Sequence, residues 1–160
     1  MRGRWAQAGA TIQAPVDVVW AVMVDLDGYP DWNPFIVQVD GPVGRPPAVG
    51  DDLVLHVRWD RGRGVTSTER ITRLEPPEGA PRRAALAYEF GGPLATLRLV
   101  RGQRLQEVDE GPGGTTRYRT KERLHGLLAF AAPLGRVQDG FERHAVALKA
   151  RAEALHAGTA

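Results

Sequence analysis

The chain has 160 residues, 42% hydrophobic and 25% charged, the balance of one globular domain able to bury its own core. It contains no cysteine, which excludes disulfide scaffolds, thiolate zinc sites, iron–sulfur clusters and cysteine nucleophiles. Net charge is only +2, from 19 arginines and two lysines against 19 acids, too balanced to signal nucleic-acid binding.

The first helix follows an N-terminal strand. Pro15 suits position N1, where its missing N–H costs nothing. Val16, Val19, Trp20 and Met23 then recur at helical spacing on one apolar face. Asp17 in the first turn complements the helix dipole, although Ala14 is a poor cap. Residues 25–34 are compact and rich in turn residues. Gly- and Pro-rich breaks at 41–50, 61–64, 76–81, 91–93 and 110–114 then divide the chain into strand-length pieces, a meander of about six antiparallel strands.

Within that meander, side chains alternate with period 2. Leu53, Leu55, Val57 and Trp59 share a face, as do Leu86, Tyr88 and Phe90. Over residues 115–125 the split is sharpest. Arg117, Arg119, Lys121 and Arg123 line one face, and four cations in a row cannot face a core unpaired. Thr116, Tyr118, Thr120, Glu122 and Leu124 therefore point inward. In the strand at 97–108, the leucines Leu97, Leu99 and Leu105 are in phase with Arg101 and Gln103, so a leucine face turned inward brings both polar residues in. Glu122 then lies opposite Arg101 or Gln103, depending on the hairpin register. Ser67, Glu69 and Ile71 extend the same side. A second helix over 133–155 carries a stripe of Val137, Phe141, Ala145, Leu148, Ala152 and Leu155, with His144 at its edge.

A long amphipathic helix needs a large apolar partner, and the sheet is the only one on offer. A curved sheet of six to seven strands wrapped around the C-terminal helix, with short N-terminal helices, gives an α+β fold and leaves room for a cavity. The segment Ile12-Gln13-Ala14-Pro15, ending in Val19-Trp20, resembles the I-x-A-P-x-x-x-V-W opening of the START-like (SRPBCC) helix-grip superfamily, in its polyketide cyclase/dehydrase-like branch. DLDGYPDWNPF at 25–35, Gly50 to Leu53, and Gly114-Thr115 through Glu122 to Gly126-Leu127-Leu128 are similar to further motifs of that group, in order along the chain. The resemblance implies a single helix-grip domain over residues 1–160 with a deep apolar cavity between sheet and helix. It also implies a hydrophobic, lipid- or polyketide-like ligand, or a cofactor-independent cyclase, aromatase or dehydrase working by acid–base chemistry.

The candidate residues follow from the faces. Glu122 and His144 are the acid–base candidates, a carboxyl in an apolar cavity and an imidazole titrating near neutrality. Trp32, Phe35, Leu55, Val57, Trp59, Glu69, Tyr88, Leu99, Arg101, Gln103, Tyr118, Thr120 and Phe141 are the candidate ligand contacts. Trp32 and Asn33-Pro34 also have a purely structural reading, as core plug and turn. Ser67 lacks the G-x-S-x-G elbow, and there is neither a G-x-G-x-x-G nor a P-loop. The histidines at 56, 125, 144 and 156 are too scattered for a zinc motif, so no cofactor and no metal are expected. No apolar run reaches membrane-span length and no signal peptide pattern opens the chain, so a cytoplasmic monomer or homodimer with no stable membrane insertion and no nucleic-acid partner is expected.

Overall fold

The computed structural model describes residues 4–92, 97 and 100–158. Strand β1 (Arg4–Ile12) leads into helix α1 (Val16–Val24), a 3-10 turn (Leu26–Gly28) and the short helix α2 (Tyr29–Trp32). Six strands follow: β2 (Ile36–Asp40), β3 (Asp52–Val57), β4 (Val65–Glu78), β5 (Arg83–Phe90), β6 (Arg101–Glu110) and β7 (Thr116–His125). Helix α3 (Leu134–Gly158) ends the described chain. The strands form one antiparallel sheet in the order β1-β7-β6-β5-β4-β3-β2. The meander from β2 to β7 is sequential, and β1 joins the far edge by pairing with β7. The sheet curves around α3, with α1 packed beside it, the expected helix-grip arrangement.

Local chemistry explains the elements. Pro15 lies one position earlier than expected, as the N-cap residue of α1, where its carbonyl accepts from the Val18 and Val19 amides at 3.1 and 3.2 Å. Val16, Val19, Val22 and Met23 are buried, and Trp20 is half-buried. Asp17 is in the first turn and also pairs with Arg82 at 2.9 Å. Pro76 and Pro77 do not end β4. They interrupt its ladder to β5 between Glu75 and Glu78, a bulge that absorbs two residues lacking an N–H.

The inward faces of β3, β5 and β7 match the alternation. Leu53, Leu55, Val57, Leu86, Tyr88, Thr116, Tyr118 and Thr120 are buried, whereas Arg117, Arg119, Lys121 and Arg123 face solvent. Strand β6 does not match. Arg101 and Gln103 are exposed, and Gly102, Arg104, Gln106 and Val108 point inward. The β6–β7 hairpin sets this parity by pairing Glu110 with Thr116, Val108 with Tyr118 and Arg104 with Glu122. Leu105 consequently lies on the outer side, half-buried, and Leu97 is exposed. Leu99 lies outside the described residues.

On α3, Phe141, Ala145, Leu148 and Ala152 are buried as the stripe predicts, and Leu155 is 41% exposed at the far end. His144 is not at the boundary but fully buried. The segment around α2 packs on that side of the helix, widening its buried surface beyond the stripe.

Candidate functional site

A cavity of about 410 Å³ lies between the sheet and α3. Strand β3 and the segments next to it supply its aliphatic and aromatic wall: Phe35 before β2, Leu55 and Val57 on β3, and Trp59 just after. Phe141 faces them from the helix, with its ring centroid 6.0 Å from that of Phe35 in an edge-to-face contact. Tyr88, Glu69 and Glu122 reach the same space from β5, β4 and β7. These eight are the candidates from the sequence that the structure brings together.

The remaining candidates stand elsewhere. Trp32 is half-buried, its ring against Tyr29 at 5.1 Å and His144 at 5.4 Å, so it plugs the core beside α3. Tyr118 and Thr120 are buried behind the wall. Arg101 and Gln103 lie on the outer face of β6, where Gln103 bonds Glu89 at 3.3 Å.

Arg104 takes the place expected of Arg101. It is 4% exposed and lines the cavity, with its guanidinium carbon 4.2 Å from the Phe141 ring centroid. Its Nε donates to Thr120 Oγ1 at 3.0 Å, and Nη2 reaches Gln106 Oε1 at 3.5 Å. Gln106 is fully buried, donating to the Tyr88 hydroxyl at 2.8 Å while accepting from the Tyr118 hydroxyl at 2.7 Å. The cavity floor is thus a connected polar network whose buried groups hold one another in place. Counting back from the 110–114 turn with Glu110 opposite Thr116 would have found Arg104 and Gln106, because Arg104, Gln106 and Val108 share the parity of Tyr118.

His144 is set apart from this cavity. Asn33 Oδ1 accepts from the Phe35 and Ile36 amides, both at 3.0 Å, which turns its Nδ2 toward His144 Nδ1, also at 3.0 Å. Nδ1 is then the acceptor and Nε2 carries the proton. Nε2 is buried and has no hydrogen-bond partner among the described residues. Burial, reinforced by Arg104, holds the imidazole well below its usual range, so it is neutral at physiological pH.

The cavity carboxyls shift the other way. Glu69 is pushed up to about 7 by burial, with the Glu122 charge adding and the Ser67 hydrogen bond and Arg104 opposing. Burial also raises Glu122, against the pull of Arg104. Tyr88 rises to about 12, chiefly by burial. Among the described residues no cluster of three or more His, Asp or Glu side chains is placed to hold a metal ion, and no helix is long and apolar enough to cross a membrane.

No curated protein matches the chain in sequence. Solved structures share its fold at low identity. Hypothetical protein jhp0584 from Helicobacter pylori superposes with a TM-score of 0.74 at 10% identity, covering 93% of this chain and 88% of that one. The ZhuI aromatase/cyclase from Streptomyces sp. R1128 gives 0.71 at 20% identity, over 95% and 94% of the two chains. The major latex-like protein 151 of Panax ginseng gives 0.65 at 14%, over 96% and 97%. Sequence carries the assignment where these likenesses carry only the fold, because the family model for polyketide cyclase / dehydrase and lipid transport proteins matches residues 6–157, and the chain belongs to that family.

Proposed function

We propose that the protein binds an apolar small molecule of lipid- or polyketide-like character in the cavity between sheet and α3. The observation that carries this reading is the cavity itself. It is walled by Phe35, Leu55, Val57, Trp59 and Phe141, and its volume lies within the span of about 300–1,000 Å³ common to small-molecule sites. A core that served only stability would be filled by its own side chains.

Native mass spectrometry of the purified protein, followed by titration with a fluorescent apolar probe, tests the reading. One equivalent of probe is expected to bind, and Val57→Trp, which fills the cavity from β3, is expected to abolish binding while circular dichroism stays unchanged. Equal binding by a folded Val57→Trp variant would place the probe elsewhere and end the reading.

A second reading, an enzyme of the cyclase or dehydrase kind, is favoured by one observation. The cavity is lined by two carboxyls, Glu69 and Glu122, and by the buried guanidinium of Arg104, with the exposed Arg136 also bordering it, whereas a purely apolar carrier has no need of buried ionisable groups. The fold likeness to an aromatase/cyclase agrees with it.

A further inference from the structure

The connection between β7 and α3 turns its large apolar side chains outward. Residues 126–133 read Gly-Leu-Leu-Ala-Phe-Ala-Ala-Pro. A 3-10 turn, Ala129–Ala131, bends this stretch, and the side chain tucked in at the bend is the small one, Ala129. Leu127, Leu128 and Phe130 are left outside, Leu127 at 68% and Phe130 at 75% exposure. Single apolar residues on a surface are ordinary, but three large ones at one bend form a patch that asks for a partner. None of the three lines the cavity.

The bend is tied to the sheet. Arg4 Nη1 reaches the carbonyls of Ala129, Phe130 and Ala132 at 3.1, 2.8 and 3.3 Å, which fastens the turn to the first residue of β1. Trp5 follows, opposite Arg123 on β7, exposed and with the Arg123 guanidinium carbon 5.6 Å from its ring centroid. Arg101 opens β6 opposite His125, and Arg136 stands exposed in the first turn of α3. The apolar turn therefore lies at one end of the sheet, with arginines of β6, β7 and α3 around it.

Charge at this end has one sign. From Arg123 to Gln138 the chain contains no Asp or Glu, and Glu122 just before it lines the cavity. Arg70, Arg73 and Arg119 on the sheet each pair with an acid. Arg101, Arg123 and Arg136 make no ion pair among the described residues. A projecting apolar tip, an exposed tryptophan and a rim of unpaired guanidinium groups fit a bilayer better than a protein. A protein partner must offer a pocket shaped to the tip, whereas lipid yields to it. Acyl chains take the leucines and phenylalanine, the interface suits tryptophan, and anionic headgroups neutralise the arginines.

We propose that this end of the molecule docks, shallowly and reversibly, on an anionic phospholipid membrane. Leu127, Leu128 and Phe130 enter the acyl boundary, and Arg101, Arg123 and Arg136 meet the headgroups. Leu124, Ala132, Pro133 and Arg136, from the same end, also line the cavity. Docking thus brings lipid up to the cavity wall, although the contact itself does not require the cavity to be filled.

The test is co-sedimentation with vesicles of phosphatidylcholine and phosphatidylserine, and with phosphatidylcholine alone, while tryptophan emission is recorded. The wild type is expected to bind the anionic vesicles, less well in salt, with its emission shifted to the blue. Trp5→Phe is expected to bind and to lose most of that shift. Leu127→Ser combined with Phe130→Ser is expected to lose about tenfold or more in binding. Arg123→Gln combined with Arg136→Gln is expected to lose about fivefold for each arginine removed. Without vesicles, the doubly serine-substituted protein is expected to bind the apolar probe as the wild type does. No binding to anionic vesicles, equal binding to both kinds of vesicle, equal binding by the folded serine variant, or a blue shift that survives Trp5→Phe overturns the proposal. A dimer that the serine substitutions dissociate, in a protein that ignores vesicles, also overturns it and gives the surface to a second copy of the chain. Failure of the probe with vesicle binding intact overturns the cavity reading and leaves the docking surface standing.

Discussion

Asn33 uses both ends of its amide. The oxygen takes two backbone amides at the entrance to β2, and the nitrogen fixes His144 on α3. Asn33→Ala leaves two buried N–H groups and an imidazole nitrogen unsatisfied, and each buried orphan costs about 1–3 kcal/mol. Part of that is recovered by relaxation, so a loss of roughly 2–4 kcal/mol in urea unfolding is expected. Glu69 makes the opposite kind of contribution. Its folded proton affinity lies above the ordinary carboxylate value of 4.5, at about 7. Between those limits the folded state binds more protons than the unfolded one, so stability falls as pH rises. The fall amounts to roughly 3 kcal/mol from pH 4.5 to above 7. Glu69→Gln is expected to flatten that slope and to be more stable than wild type at pH 8, as urea midpoints at pH 5 and 8 would show. A slope unchanged in the variant would assign the pH dependence to another group.

Among the elements, α3 shows how closely the sheet grips its helix. Gly140 is buried, and a Cβ there would overlap the Phe35 ring, itself packed against Phe141 and Trp59 at 6.0 Å. Glycine to alanine in a helix ordinarily gains about 1 kcal/mol. Here overpacking at a cost of about 1–3 kcal/mol outweighs it. Gly140→Ala is thus expected to lower the urea midpoint and, by driving Phe35 into the cavity, to weaken probe binding. A more stable variant would show that the ring moves freely. The same tightness explains what the sequence concealed. The strand faces of β3 and β7 are legible because the outward side of each is wetter than the inward side, so alternation maps onto burial, whereas β5 is buried on both sides from Ala84 to Tyr88. Strand β6 inverted that code, with Leu105 on the outer face and Arg104 and Gln106 toward the cavity. There the inner face is chosen by hydrogen bonding to Tyr88, Tyr118 and Thr120, and polarity no longer reports burial. His144 was misplaced for a related reason: a stripe drawn for one apolar partner does not count the second, polar contact from Asn33.

Outside the cavity, most of the ion pairs among the described residues have at least one partner well exposed. Arg70–Asp52 and Arg73–Glu75 lie on the solvent side and are open to screening. Moderate salt is therefore expected to leave the urea midpoint nearly unchanged, and a large fall would show that the surface network carries the fold. The motifs at the N-terminus and around Glu122 were enough to read the architecture. The candidate site was half legible, because Glu69, Glu122, Leu55, Val57 and Trp59 follow from strand alternation, Phe141 from the helical stripe and Phe35 from its motif, while Arg104 depends on a hairpin register that only the folded chain fixes.

The pairing of β1 with β7 also has a consequence for how the protein is made. Arg4 meets Leu124 and Ile12 meets Thr116, so β1, once made, waits while more than a hundred further residues are synthesised before its partner exists. Until then its edge and the inner faces of the meander stay unpaired and uncovered, a window in which a nascent chain is open to chaperones and to misassociation. The cavity comes into being only when β7 and α3 have been made, because both supply its walls.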